Sequence, residues 1–242
     1  ELSSFQLMNM KTSPKISVVT NITPNHLDIH KSYEEYIESK KNIFKYQDSN
    51  GILVTNFDNE ITREFEKEAP GKVIYFSKTT KLNDGIILDN GIIKECEDKL
   101  RKHILNTNNM LLRGEHNYEN ACTAIAATKS LVDTETQVEV ISNFKGVEHR
   151  LEFVRELNGV KWYNDSIGTS PTRTIAGLKS FDENIVLIAG GYDKHLDYTP
   201  IAMPILDNVS DLILMGQTAP KIKAAVENAM KITGKRVNIY EC

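Results

Sequence analysis

The sequence predicts an α/β protein in two parts, a mixed sheet with helices followed by a parallel sheet. Beyond residue 150, helical patterns alternate with short β-branched runs at 160–164, 185–189, 211–215 and 236–240. Such alternation is typical of a parallel sheet with right-handed crossovers. Earlier in the chain, two apolar runs flank Asp89-Asn90-Gly91, which is a strong hairpin signal. The first part is therefore expected to contain antiparallel strands as well.

The first part reads as short strands and helices separated by turn residues. We predict strands at 15–20, 51–56, 72–76 and within 84–95 and 99–112, and helices at 33–46, 59–68, from about 118, and at 136–143. Ser32 is placed to cap the helix at 33–46. One face of that helix carries Tyr36, Ile37, Lys40, Ile43 and Phe44. The opening residues, ELSSFQL, read like the end of a strand.

The stretch from 146 to 173 joins the two parts. Its strand ends at Asn164 in a run of small polar residues, and Ser170 followed by Pro171 suits the start of a helix. Strand, polar loop and capped helix is how an α/β sheet presents ligand-binding groups at its carboxyl edge. Further helices near 199–206 and 219–232 complete a Rossmann-like second part. We divide the chain into domains at 1–147 and 148–242.

Composition narrows the possible functions. The 242 residues carry a net charge of −4 with 26% charged residues, and no basic block suggests nucleic acid as a partner. No apolar run approaches the roughly 20 residues that span a bilayer, so no membrane partner is expected. Cys96, Cys122 and Cys242 lack CxxC spacing, which favours a reducing cytoplasm. The chain starts at Glu1 without a signal peptide, and we interpret it as an excised piece of a longer protein.

Histidines and an aspartate follow the first predicted strand, in TPNHLDIH. His26, with Asp28 close by, can bind a metal, although isolated surface histidines are commoner. Of the two histidines, His26 and His30, His30 looks dispensable for metal binding. Lys40 lies on the apolar helix face. Most such lysines extend to solvent, but a partly buried lysine can lose its proton and become reactive.

Several polar residues suit a nucleotide. Asn117 and Asn120 in HNYEN lie one turn apart at a helix start. They either cap the helix or contact an adenine edge, since an amide offers both a donor and an acceptor. His149 and Arg150 are either ordinary surface charges or contacts to phosphate oxygens. Asp165, at a strand end, can pair with Arg150, orient a ribose or join a metal shell.

Another polar loop follows the strand at 185–189, in IAGGYDKH. Its glycines permit close backbone approach, and Lys194 can contact a carboxylate or a phosphate. Turns also favour glycine, so the pattern is weak by itself. The sequence contains no GxxxxGK[ST] phosphate-binding loop.

Taken together, these stretches resemble the Mur ligase family. The matching segments come in family order and cover nearly the whole chain; they are ELSSFQL, NITPNHLD, YIESKKNIF, LRGEHNYENA, FKGVEHRLE, WYNDS and IAGGYDK. Any one would be unconvincing, but the ordered set is specific. WYNDS after HRLE favours the branch of the family that adds D-glutamate.

The resemblance implies an ATP-dependent amide ligase with a UDP-binding domain, a central ATPase domain and a Rossmann-like third domain. This chain would hold the later part of the central domain and much of the third. The reaction would join D-glutamate to UDP-N-acetylmuramoyl-L-alanine through an acyl phosphate, with ATP and two Mg²⁺ ions, in a cytoplasmic monomer. Two bodies would hinge near residue 147 around this metal–nucleotide cluster. The fragment alone is not expected to turn over.

The resemblance also implies roles for single residues. Glu1 and His26 match magnesium ligands, and Lys40 matches a carbamylated lysine that helps hold the second ion; Lys41 is the less favoured alternative by register. The nucleotide-facing positions are Asn117, Asn120, His149, Arg150 and Asp165. The positions that face D-glutamate are Thr169 and Lys194. Lys40, His26 and Arg150 would act directly in catalysis.

One departure from the family is plain. Members commonly show NDSKATN where this chain has NDSIGTS, so Ile167 replaces an expected lysine. Arg173, on the following helix, is the candidate that supplies the missing charge. Two alternatives to this function stay open: another ligase of the superfamily, such as a different Mur ligase or a folylpolyglutamate synthetase, and a non-catalytic nucleotide-binding module.

Overall fold

The computed structural model describes residues 1–23 and 30–242. The chain divides into two compact units. The first comprises Glu1–Leu111 and Asn117–Phe144, and the second comprises Leu112–His116 and Lys145–Cys242. The domain boundary expected at residue 147 stays a prediction.

Within the described residues, the first unit contains a six-stranded mixed sheet whose strands follow one another in chain order. The strands are β1 (Ile16–Val19), β2 (Ile52–Asn56), β3 (Lys72–Ser77), β4 (Gly85–Asp89), β5 (Ile92–Glu97) and β6 (Leu100–Asn106). β1 to β4 are parallel, whereas β4, β5 and β6 are antiparallel. The predicted hairpin is confirmed: Asn90 and Gly91 connect β4 to β5 with φ of 51° and 74°, as a two-residue turn of this kind requires.

Helices cover the sheet of the first unit. They are α1 (Ser4–Met8), α2 (Tyr33–Lys45), α3 (Glu60–Arg63), α4 (Glu115–Thr128) and α5 (Thr134–Asn143); α3 continues as a 3₁₀ turn over Glu64–Lys67. The Ser32 cap is confirmed, since its Oγ accepts from the backbone N–H of Glu35. Phe44, Leu53 and Phe65 belong to one core cluster. Phe76, Ile93 and Ile125 belong to another.

The prediction that ELSSFQL ends a strand is wrong, because these residues begin helix α1. Ser3 and Gln6 form a reciprocal capping box: the Ser3 N–H donates to Gln6 Oε1 at 2.8 Å, and the Gln6 N–H donates to Ser3 Oγ at 3.3 Å. These bonds satisfy donors that a short helix leaves free. Leu7, with 2% of its surface exposed, anchors the helix.

The second unit contains two separate sheets among the residues that the structure describes. β7 (Glu152–Leu157) and β8 (Val160–Asn164) form an antiparallel pair, and β9 (Ile185–Gly190), β10 (Val209–Met215) and β11 (Asn238–Glu241) form a parallel sheet. The helices are α6 (Pro171–Leu178), α7 (Ala202–Asn208) after a 3₁₀ turn, and α8 (Ala219–Thr233). One face of the parallel sheet packs on these helices through Leu212, Leu214, Ile205 and Val226.

The strand predicted at 160–164 exists, but it does not join the parallel sheet. Asn158 and Gly159, with φ of 51° and 78°, turn the chain back so that β8 pairs with β7. Asn-Gly is the favoured pair for such a two-residue turn. The Asn158-Gly159 turn signal was present in the sequence. Strand β7 was not predicted because its charged residues hide the alternation of apolar and polar positions that is typical of a strand.

No helix among the described residues combines the length and the apolar character needed to cross a bilayer.

Candidate functional site

A solvent-open pocket of about 510 Å³ in the first unit is lined by helices α1 and α2 and by the residues that precede α1. It is lined by Glu1, Leu2, Ser3, Ser4, Gln6, Tyr36 and Lys40. The Nζ atom of Lys40 lies 3.4 Å from the backbone oxygen of Leu2 and 6.0 Å from the centre of the Tyr36 ring. The structure therefore brings two of the predicted metal-site residues, Glu1 and Lys40, to one pocket.

Lys40 and Lys41 occupy different environments. Burial lowers the pKa of Lys40, and the charge of Glu1 offsets only part of that effect. For Lys41, burial also lowers the pKa, but hydrogen bonds and charges from Glu38 and Glu68 outweigh it, so the pKa is raised. Its Nζ lies 2.7 Å from Glu38 and 2.6 Å from Glu68. Lys41 is thus paired with two carboxylates that favour its ammonium form, whereas burial favours the neutral amine of Lys40.

His26 and Asp28 lie outside the described residues. Within the described part of the chain, no three histidine, cysteine or acidic side chains converge on one point. The expected meeting of Glu1 with His26 stays a prediction.

His30 is buried, not an isolated surface histidine. Only 3% of its surface is exposed, and its Nε2 lies 2.9 Å from the hydroxyl oxygen of Ser4. Its ring stacks on Phe5 of α1 and meets the ring of Tyr36 of α2 edge-on. Sequence reasoning missed this role because the helical character of α1, which supplies Ser4 and Phe5, was not recognised.

Polar side chains gather where α4 begins and where β2 and β3 end. Asn120 is exposed and Asn117 is half-buried on the first turns of α4. Between them, Glu119 accepts a hydrogen bond from Asn56 Nδ2 at 2.7 Å and pairs with Lys78 Nζ at 3.3 Å. Sequence analysis did not single out Glu119. The signal for Glu119 is its position inside HNYEN, where the helix directs it toward the strand ends while Asn120 stays exposed.

Asp58 organises the loop after β3. Its carboxylate accepts from the hydroxyls of Ser77 and Thr79 and from the backbone N–H groups of Lys78 and Thr79. Burial raises the pKa of Asp58, but these hydrogen bonds outweigh it, so the pKa is lowered. The loop that carries Lys78 is therefore fixed next to the start of α4.

In the second unit, Asp165 follows β8 and is the centre of a charged cluster. Its Oδ1 accepts from the backbone N–H of Leu151 at 3.1 Å. Burial raises the pKa of Asp165, while that N–H and the positive charges of Arg150, Arg173 and His116 oppose the rise. The predicted residues Arg150 and Arg173 thus each lie within electrostatic reach of Asp165.

Gly168 occupies a position where a side chain would collide with Asp165. A Cβ atom there would lie 2.6 Å from Asp165 Oδ2, which is far inside contact distance. The glycine of NDSIGTS therefore lets the carboxylate fold back over its own loop. Ile167, at the position where family members commonly carry lysine, is 45% exposed.

The other predicted residues of the second unit lie at the surface. His149 has a positive φ of 65°, and its Nδ1 lies 2.9 Å from Asn164 Nδ2. Thr169 is exposed, and its backbone N–H donates to the oxygen of Ile167. Lys194 is exposed in the loop after β9. The Ser170 position begins α6 as predicted, but its hydroxyl pairs with that of Thr172 instead of capping the helix.

These features define a two-unit α/β protein with a carboxylate–lysine pocket in its first unit. Residues 1–128 match the Mur ligase middle domain, and residues 149–241 match the Mur ligase glutamate ligase domain. The chain belongs to the Mur ligase family.

Two curated relatives illustrate the similarity; both are named UDP-N-acetylmuramoylalanine--D-glutamate ligase. The proteins of Acetivibrio thermocellus and Clostridium beijerinckii are each 50% identical over 239 residues, covering 99% of this chain and 51% of the relative. The chain therefore spans about half the length of the curated relatives it matches.

Solved structures show the same fold. MurC from Thermotoga maritima aligns with a TM-score of 0.71 at 17% identity, covering 99% of this chain and 53% of that one. MurF from Acinetobacter baumannii aligns with a TM-score of 0.69 at 18% identity, covering 95% and 51%. At these identities the likeness supports the fold, and it confirms the mixed α/β architecture expected from the sequence.

Proposed function

We propose that the protein containing this chain is an ATP-dependent ligase that joins D-glutamate to UDP-N-acetylmuramoyl-L-alanine. The observation that carries the proposal is the pocket shared by Glu1 and Lys40, in which burial lowers the pKa of the lysine. The printed names of relatives at about half identity support the choice of substrates.

Lys40 is the residue we propose to be carbamylated. Carbamate formation requires the neutral amine: its nitrogen attacks the carbon of CO₂, a proton leaves, and a carboxylate-like anion results. Because burial lowers the pKa of Lys40, a larger fraction of the amine is neutral at physiological pH. Lys41 is unsuited, since two carboxylates hold it as an ammonium.

The pocket fits magnesium once Lys40 carries the carbamate. Mg²⁺ prefers hard oxygen ligands, and the pocket offers the Glu1 carboxylate, the Leu2 carbonyl and the carbamate oxygens. We propose His26 as a further ligand. Magnesium would neutralise phosphate charge as the substrate carboxylate approaches. An unmodified Lys40 ammonium would repel the ion instead.

We propose nucleotide-contacting residues in each unit separately. Asn117 and Asn120 would hold adenine through their amides, with α4 fixed by Glu119 against the ends of β2 and β3. His149, Arg150 and Asp165 would contact the ribose and the phosphates. Arg150 would also stabilise charge that develops during phosphoryl transfer.

D-glutamate would bind near the exposed residues of the second unit. We propose Thr169, Lys194 and Arg173 for its carboxylates. Arg173 would replace the charge that is missing at Ile167, because both residues are exposed next to the Asp165 loop.

The reaction proceeds in two steps. A carboxylate oxygen of UDP-N-acetylmuramoyl-L-alanine attacks the γ-phosphorus of ATP, and ADP leaves. The amine nitrogen of D-glutamate then attacks the acyl carbon, inorganic phosphate leaves, and the nitrogen loses a proton. Holding both substrates in line is the main task of the protein residues. We expect the enzyme to work as a monomer in the cytoplasm.

The test is amino-acid-dependent ADP release by the full-length protein. With UDP-N-acetylmuramoyl-L-alanine and ATP, D-glutamate should give turnover that L-alanine, L-lysine and L-glutamate do not. Turnover with a different amino acid would assign another ligase of the family. ATP binding without turnover under any of these conditions would favour a nucleotide-binding module.

A further inference from the structure

His30 joins the two helices that form the pocket. Its ring centre lies 5.4 Å from that of Phe5, nearly parallel at 9°, and 5.4 Å from that of Tyr36 at 73°. Phe5 belongs to α1 and Tyr36 to α2. The ring is therefore packed between the helices, in contact with both.

The polar contact of His30 also reaches α1. Its Nε2 lies 2.9 Å from Ser4 Oγ, and 1% of the Ser4 surface is exposed. A buried hydrogen bond of this kind is costly to break, because water cannot replace the lost partner of either group. The bond thus fixes the rotation of α1 as well as its distance from α2.

Helix α1 depends on such contacts, since its five residues are too few for a stable isolated helix. Besides His30, the side chain of Asn42 on α2 donates to the oxygen of Leu7 at 2.9 Å. His30 contacts the end of α1 that carries Ser4 and Phe5, next to the pocket-lining residues Glu1 and Leu2.

We propose that His30 is a positioning residue, which holds α1 against α2 so that Glu1 and Lys40 face the same pocket. The magnesium site itself rests on the proposed function. The positioning role does not, because it concerns the arrangement of two helices.

The surroundings of Nδ1, the second ring nitrogen of His30, indicate which substitution would be conservative. No described residue makes a hydrogen bond to His30 Nδ1, and a carboxylate oxygen of Glu35 lies 3.9 Å from it. Since Nε2 alone makes the bond to Ser4, glutamine can place an amide at a similar reach. Phenylalanine keeps the ring packing and removes the bond.

The experiment compares hydrogen–deuterium exchange in peptides from the full-length protein. In His30→Phe, we expect the amides of α1 to exchange about tenfold faster, while those of β2 and β3 stay unchanged. Ser4→Ala should reproduce the increase, and His30→Phe should add nothing in the Ser4→Ala background. His30→Gln should restore most of the protection. His103→Phe, the same change on the exposed part of β6, is the matched control.

Unchanged α1 exchange in His30→Phe would overturn the proposal. So would an equal rise in all peptides, which would indicate general destabilisation, or additive effects of His30→Phe and Ser4→Ala. A functional readout runs in parallel: the Mg²⁺ concentration for half-maximal turnover should rise severalfold in His30→Phe and recover in His30→Gln. Absence of any magnesium requirement in the parent would refute the proposed function, while the exchange result would still decide the role of His30.

Discussion

Lys40 and Lys41 are adjacent on α2, yet one lines the pocket with Glu1 while the other is paired with Glu38 and Glu68. The Nζ of Lys41 lies within 2.7 Å of both carboxylates, and that of Lys40 lies 3.4 Å from the Leu2 carbonyl. One helical position, about 100° of rotation, separates a lysine paired with two carboxylates from the lysine that we propose to be carbamylated.

This contrast predicts different outcomes for matched substitutions. Lys40→Met should lower kcat by about a hundredfold or more, because it removes the proposed carbamate. Lys41→Met should cost stability, by up to about 1 kcal/mol given how exposed its two partners are, and reduce kcat far less. Steady-state ADP release and thermal unfolding of the full-length protein measure both. Equal losses of kcat would contradict the assignment of Lys40.

Asn120 should contribute to adenine binding without contributing to stability. Asn120→Asp keeps the shape of the side chain but replaces its amide NH₂ donor by a carboxylate oxygen, so the KM for ATP should rise about tenfold. The thermal midpoint should be unchanged, since Asn120 is exposed. Asn143→Asp, on the exposed end of α5, is the control and should leave the KM for ATP as it is. The same KM in Asn120→Asp and the parent would remove Asn120 from the site.

Arg173 should carry the charge that other family members place at Ile167. Arg173→Ala is expected to raise the KM for D-glutamate about tenfold, with little change in the KM for ATP. Ile167→Lys should restore affinity in the Arg173→Ala background, because residue 167 is exposed and can accept a lysine. Arg155→Ala, which changes an exposed arginine on β7, is the control. An unchanged KM for D-glutamate in Arg173→Ala would refute the role.

The contribution of Asp165 to the free energy of unfolding should fall as the pH rises. Burial raises its pKa in the folded protein, so the folded state binds the proton more tightly than the unfolded state. The resulting stability is complete below the unfolded-state pKa and is lost as the pH rises through the raised value. Asp165→Asn should therefore match or exceed the parent in thermal midpoint at pH 7, by up to about 2 °C. It should also weaken nucleotide binding. A clear fall in the midpoint at pH 7, measured by unfolding at several pH values, would contradict this account.

Much of the fold could be predicted because local signals agree with it. Ser32 before the α2 pattern, Asn90-Gly91 between two β runs, and the strand–helix alternation beyond residue 180 each specify an element directly. Two errors came from short segments. Helix α1 depends on a capping box and on tertiary contacts to His30, and β7 carries too many charges to show alternation.

The site was only partly predictable. The lysine pattern of α2 does not reveal which lysine is paired, because Glu68 comes from a distant turn. Glu119 and His30 gain their roles from partners that are far away in sequence, Asn56 and Ser4. The roles of Glu1 and Lys40 followed from the resemblance to the family, and the position of Asp165 followed from the end of a predicted strand. The burial of Lys40 and Asp165 and the resulting pKa shifts required the structure.

Carbon-13 NMR of the full-length protein equilibrated with ¹³C-bicarbonate tests the central claim most directly. The account predicts one protein-bound carbamate signal that is absent in Lys40→Met and retained in Lys41→Met. A signal that persists in Lys40→Met, or no carbamate signal in the parent protein, would contradict it.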